Sequence, residues 1–135
     1  MAQFSIIRRS RVDLDEVKLV SKQVSPMRLV LTVADSRQVI SVPLSGRLVI
    51  GRGGNSQELE IDLSSLDGIK YGLSRAHAVF TYDNNSLFIE DLKSTNGTRI
   101  NGYPLDAGKP YSLHNGDELE LGSLRLVVRV VRPRG

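Results

Sequence analysis

The 135-residue chain contains no cysteine. That absence excludes a disulfide framework, a thiol nucleophile and any thiolate zinc site, and it agrees with a reducing compartment. Histidine is scarce as well: His77 and His114 are the only two, which leaves a transition-metal centre little to stand on. No segment approaches the ~18 to 20 continuous apolar residues of a membrane span, and residues 1–26 hold no apolar run of the signal-peptide kind. The expectation is a cytoplasmic protein with no membrane partner, no metal and no cofactor. One domain suits the length, because a chain of this size buries roughly two thirds of the surface it exposes unfolded.

Positive charge is missing where a polyanion would need it. The totals are 18 basic and 15 acidic residues, a net of +3. Residues 1–28 hold six basic and three acidic side chains, and residues 125–135 hold four arginines and no acid. Eight basic residues therefore face twelve acidic ones between 29 and 124, a net of −4. Such a body does not attract nucleic acid over its whole surface. Any anion it binds is gripped by a few aimed groups.

What the chain does have is period-two alternation broken by turn residues. Leu29, Leu31 and Val33 share one face; Val39 to Leu44, Leu48 to Ile50, Ala78 to Tyr82, Leu87 to Glu90 and Asp117 to Leu121 follow; Leu124, Leu126, Val128 and Val130 share a face of a closing strand. Nearly every linker carries Gly, Asn or Asp. Many short strands with such turns point to an all-β sandwich or barrel. Between Asp13 and Val24 the apolar residues fit a helix or a strand equally, and Pro26 marks a boundary. The expected organisation is an N-terminal extension over 1–26, a domain over 27–131 and a basic tail over 132–135.

Three polar loops interrupt the strands. Gly51-Arg52-Gly53-Gly54 offers close backbone approach and a planar fork of donors matched to phosphate, although a glycine turn with a solvated arginine reads the same when taken alone. Ser74-Arg75-Ala76-His77 lacks the strand-to-helix elbow of a serine nucleophile, so His77 reads as a structural histidine rather than a base. In Ser94-Thr95-Asn96-Gly97-Thr98-Arg99-Ile100-Asn101-Gly102, two Asn-Gly steps announce tight reversals at a sheet edge. Two hydroxyls and an amide precede the first glycine, more polar chemistry than a bare turn needs.

Taken in order, Gly51-Arg52, Ser74-Arg75-Ala76-His77, Asp91-Leu92-Lys93-Ser94-Thr95-Asn96-Gly97-Thr98-Arg99-Ile100-Asn101-Gly102, Gly116-Asp117 and Leu121-Gly122 closely resemble the forkhead-associated (FHA) domain over residues 27 to 131. The resemblance implies an FHA/SMAD-like sandwich of two mostly antiparallel sheets, with ligand loops clustered at one end, that binds phosphothreonine peptides and is not an enzyme. It places Arg52, Ser74 and Thr95 around the phosphate, Arg75 at the phosphate or peptide backbone, and Asn96 on the peptide main chain. Gly51, His77, Gly97 and Asn101 become structural support. The connection from Leu63 to Leu73 is longer than is usual in the family; Lys70 and Tyr71 in it either read residues after the phosphothreonine or belong to a surface loop without a partner.

The implied function is an adaptor in Ser/Thr-kinase signalling, whose partners are phosphothreonine proteins such as a kinase or its substrates. Residues 1–26 contain four serines and no threonine, so the phosphothreonine is expected from a partner rather than from the chain's own tail. The alternatives are a phosphate-independent interaction module on the same fold, or a weak nucleic-acid binder acting through the basic termini. A nucleotide-handling enzyme fails on motif, because Gly51-Arg52-Gly53-Gly54 lacks the Gly-Lys-Ser/Thr ending of a P-loop.

Overall fold

A computed structural model of the chain describes residues 27–54, 59–67 and 70–132. The N-terminal extension, with its helix-or-strand segment and its arginines, lies outside the described residues, as do residues 133–135 of the tail. The described strands are β1 (Arg28–Val33), β2 (Val39–Pro43), β3 (Arg47–Gly51), β4 (Ile61–Asp62), β5 (Ala78–Asp83), β6 (Ser86–Asp91), β7 (Thr98–Ile100), β8 (Tyr103–Pro104), β9 (Tyr111–Leu113), β10 (Glu118–Leu121) and β11 (Leu124–Val131). Among the described residues one 3-10 turn, Ser64–Leu66, follows β4.

The strands form two sheets. One runs β9-β6-β5-β3-β4 and the other β2-β1-β11-β10-β7-β8. All described pairings are antiparallel except β3 with β4, where Ile50 faces Ile61 and Gly51 faces Asp62. The alternation read from sequence sets the inner faces: Leu29, Leu31, Leu119, Leu121, Leu124, Leu126 and Val128 from the six-stranded sheet meet Leu48, Ile50, Ala78, Phe80, Leu87 and Ile89 from the five-stranded one. Each such Leu, Ile or Phe contributes about 1.5 to 3 kcal/mol by leaving water, and a slip of one residue in any strand would turn its apolar set outward. The residues Arg28–Val131 form one compact unit.

Two reversals follow their local chemistry closely. Asn84 and Asn85, both at positive φ, join β5 to β6, and Asn101 with Gly102, at φ 50° and 89°, joins β7 to the edge strand β8. The Asn96-Gly97 step differs from the hairpin expected there. Only Gly97 has positive φ in that step, and the loop carries the chain from β6 in one sheet to β7 in the other. Crossing between sheets, unlike reversing within one, leaves backbone groups that no ladder satisfies, and the side chains of Asp91, Ser94 and Ser74 accept from Ser94 N, Gly97 N and Thr95 N respectively.

Candidate functional site

Three connections meet at one end of the sandwich: the loop leaving β3, the segment entering β5 and the β6–β7 crossing. The first two are laced by backbone bonds. Arg52 N donates to Ser74 O at 3.0 Å, Gly53 N to Arg75 O at 3.2 Å, and His77 N to Ile50 O at 2.9 Å. So close an approach requires glycine at 51, because a Cβ there would collide with the Arg75 carbonyl. Arg52 Nε donates to Leu73 O at 3.0 Å, which fixes the guanidinium and leaves its two terminal nitrogens without a partner among the described residues.

Beneath these loops lies His77, fully buried. Its Nδ1 accepts from Ser74 N and its Nε2 donates to Gly97 O, both at 3.0 Å, so the neutral ring ties the loop before β5 to the crossing. Burial lowers its pKa below the ordinary 6.5, against the opposing pull of the Gly97 bond and the Asp91 charge. A proton on Nδ1 would remove the acceptor that Ser74 N uses.

The crossing hangs from Asp91, a buried carboxylate at the end of β6. Its Oδ1 accepts from Ser94 Oγ at 2.5 Å and Thr98 Oγ1 at 2.6 Å, and its Oδ2 accepts from Ser94 N at 3.0 Å. Ser94 Oγ in turn accepts from Gly97 N at 3.0 Å. Burial pushes the Asp91 carboxyl up; the bonds from Ser94 and Thr98, with the nearby His77, outweigh it and hold the group below its ordinary value of 3.8. Gly97 O also accepts from Gly122 N at 3.0 Å, so the β10–β11 turn braces the same peptide.

On this base the crossing meets the loop before β5. Thr95 N donates to Ser74 Oγ at 3.0 Å, and Asn96 Nδ2 donates to Gly72 O at 2.9 Å. The result is an open groove of about 560 Å³ lined by Arg52, Gly72, Leu73, Ser74, Arg75, Ala76, Thr95 and Asn96. Its side chains supply two guanidiniums, two hydroxyls, one amide and no carboxylate. Such a surface can bind an anion through Arg52 and the hydroxyls, and the Asn96 amide can both donate to and accept from a peptide backbone.

The structure thus gathers Arg52, Ser74, Arg75, Thr95 and Asn96 in one groove, with Gly51, His77 and Gly97 beneath it. Asn101 sits elsewhere, at the far end of β7 and roughly 13 Å of strand from Gly97. Its Oδ1 accepts from Glu118 N at 2.9 Å and its Nδ2 donates to Asp117 Oδ1 at 3.1 Å, so it holds the approach to β10. Lys70 and Tyr71 are not in the lining. Lys70 is exposed, whereas Tyr71 is half-buried against the core and its carbonyl accepts from Ser123 N at 2.9 Å and Ser123 Oγ at 3.2 Å. No group of three or more His, Cys, Asp or Glu among the described residues could hold a metal.

Sequence reasoning missed the support carried by Asp91, Thr98 and Gly72. The Asp-x-x-Ser spacing at a strand end was the available signal, since such side chains cap local backbone. Gly72 gives no comparable sign, because its carbonyl meets Asn96 only after folding.

The FHA domain family model matches residues 48–122. Protein FraH of Nostoc sp. (strain PCC 7120) is 35% identical over 98 residues, 72% of this chain and 34% of that protein. The glycogen accumulation regulator GarA of Mycobacterium tuberculosis is 44% identical over 55 residues, 41% of this chain and 32% of that protein. The chain spans about a third of the length of these curated relatives. A solved structure from a structural and functional analysis of phosphothreonine-dependent FHA domain interactions superposes with a TM-score of 0.61 at 30% identity, covering 79% of this chain and 99% of that one.

Proposed function

The chain belongs to the FHA family, and from that premise we propose that it is a non-catalytic adaptor that recognises phosphothreonine in partner proteins of Ser/Thr-kinase signalling. Arg52, Ser74 and Thr95 take the phosphate, Arg75 stands beside them, and Asn96 holds the peptide main chain. The observation that carries this reading is the carboxylate-free groove in which these five side chains meet. The relative studied for phosphothreonine-dependent interactions supports it. The binding domain is residues 27–131 and its setting is the cytoplasm, to which the cysteine-free composition is suited.

A phosphothreonine brings about −1.5 to −2 charges and three strong acceptor oxygens. Each bond to that charge is worth roughly 1.5 to 3 kcal/mol net. Two such bonds separate phosphorylated from bare peptide by about 3 to 6 kcal/mol, on the order of a hundredfold or more. Fluorescence anisotropy with phosphothreonine, phosphoserine and unmodified peptides on wild type and Arg52→Ala is the test. The expected loss for Arg52→Ala is about 2 to 5 kcal/mol of phosphothreonine binding with the fold intact. Binding that ignores the phosphate and Arg52 would transfer the protein to the phosphate-independent interaction modules.

A further inference from the structure

The groove carries more positive charge than one phosphate needs. Arg52 is fixed by Leu73 O, and its terminal nitrogens with the two hydroxyls suffice for a single phosphate. Arg75 lines the same groove. Lys93 lies two residues before Thr95 and Lys70 two before Gly72, and both are exposed. None of Arg75, Lys93 and Lys70 is in an ion pair among the described residues.

Elsewhere only some cations are answered, and Arg37, Arg47, Arg129 and Arg132 also stand in no ion pair among the described residues. On the outer face of the six-stranded sheet Arg99 meets Glu120, and Arg125 meets both Glu118 and Asp35; between β8 and β9, Lys109 meets Asp106. None of the acids of the groove loops is in its lining, although the Asp62 carboxylate lies against Gly53. Glu60 accepts from Val49 N at 2.7 Å, Asp62 from Ser64 N at 2.9 Å, Asp91 is buried, and Asp67 is exposed outside the lining. A lining with two arginines and no carboxylate therefore stands in a segment, residues 29–124, of net charge −4. Local charge of one sign at a cleft, opposed to the sign of the body, selects ligands and speeds their arrival.

We propose that the partner segment is an acidic phosphothreonine peptide, with Asp or Glu close to the phosphothreonine on the sequence, paired to Arg75, Lys93 and Lys70. This deepens the phosphothreonine reading and rests on it. Exposed pairs of this kind are each worth little, so the selectivity is the sum of several weak contacts rather than a single pocket.

The test is fluorescence anisotropy with three labelled phosphothreonine peptides flanked by Glu and Asp, by Gln and Asn, or by Lys, plus the acidic peptide without phosphate. At about 0.15 M salt the acidic phosphopeptide should bind about fivefold to twentyfold more tightly than the neutral one, and the gap should close at about 0.5 M. Lys93→Gln and Lys70→Gln should each shrink the acidic-to-neutral ratio. Equal, Arg52-dependent binding of acidic and neutral phosphopeptides would overturn the acidic partner and leave the phosphothreonine reading standing. Failure of every phosphopeptide to bind would overturn that reading instead, and equal binding of the unphosphorylated acidic peptide would reduce the groove to a general anion patch.

Discussion

The chain uses the dipeptide Asn-Gly twice within seven residues, and the two copies do different work. At Asn101-Gly102 both residues adopt positive φ and close the β7–β8 hairpin, and the exposed Asn101 side chain reaches across to Asp117 and Glu118. At Asn96-Gly97 only the glycine is left-handed. Asn96 stands on the groove wall, while the Gly97 peptide receives Ser94, His77 and Gly122. One step completes a scaffold; the other presents an amide on top of one. The difference comes from what lies below each step, a ladder in the first case and a buried carboxylate and imidazole in the second.

Removing the carboxylate should break the comparison most severely. Asp91→Ala strands the hydroxyls of Ser94 and Thr98 and the Ser94 N–H, each a donor whose loss of partner costs about 1 to 3 kcal/mol. Thr98 is itself buried and cannot turn to water. We expect about 3 to 5 kcal/mol of lost stability in urea denaturation, together with faster hydrogen exchange at Ser94 and Gly97. Asn101 N, bonded to Glu118 O, should keep its protection. Loss of protection at both Asn-Gly steps alike would show that Asp91 supports the whole sandwich rather than the crossing.

The two asparagines test the division directly. Asn96→Ala should weaken phosphothreonine-peptide binding by about 1 to 3 kcal/mol, the worth of one or two bonds to the peptide. Its stability should change by under about 1 kcal/mol, since only the bond to Gly72 O is lost. Asn101→Ala should do the opposite: about 1 to 3 kcal/mol of stability lost through two hydrogen bonds and an alanine forced to positive φ, with anisotropy unchanged. Crossed results would exchange the two roles.

How far these roles could be read in the sequence follows from their range. The strands were legible because period two survives in Leu29 to Val33 and in Leu124 to Val130, and burial respects it. That Arg52, Ser74 and Asn96 share one groove was legible through the order of their motifs, because they lie on loops whose glycines and polar residues announce themselves. Neither property reveals a sheet crossing. Locally Asn96-Gly97 has the chemistry of a hairpin, and only the assignment of β6 and β7 to different sheets shows otherwise. Asp91 reads as an ordinary strand-end acid until Thr98, seven residues later, folds back onto it, and Tyr71 reads as a loop residue that faces either a peptide or solvent until it packs against the core.

Acid should separate the two steps by a smaller amount. His77 has a folded pKa below 6.5, so on acidification the unfolded chain takes the proton first. Its contribution is complete above about pH 6.5 and declines as pH falls from there through the folded value. Asp91, held below 3.8, acts in the same direction at lower pH: its contribution is complete above 3.8 and declines as pH falls through its folded value. Urea midpoints should therefore fall between pH 7.5 and 5. His77 touches Ser74 and Gly97, so groove binding should weaken over the same interval once phosphate titration, near pKa 6, is subtracted with a free phosphopeptide control. A midpoint that rises on acidification would contradict the neutral, buried imidazole.

The finest comparison substitutes the glycines themselves. Gly97 and Gly102 have nearly the same φ, 85° and 89°, and a Cβ on either would meet no atom within 4 Å. Gly97→Ala and Gly102→Ala should therefore carry only the strain of a left-handed alanine, about 1 to 2 kcal/mol each, and similar shifts in urea midpoint. Their effects on binding should diverge. Strain at Gly102 relaxes into an exposed edge hairpin, whereas strain at Gly97 moves a carbonyl that holds His77 and an amide held by Ser94, one residue from Asn96 and two from Thr95. Equal loss of stability with phosphopeptide binding reduced only by Gly97→Ala would place the functional difference in the network beneath the step, since the turn residue and its backbone angle are the same in both.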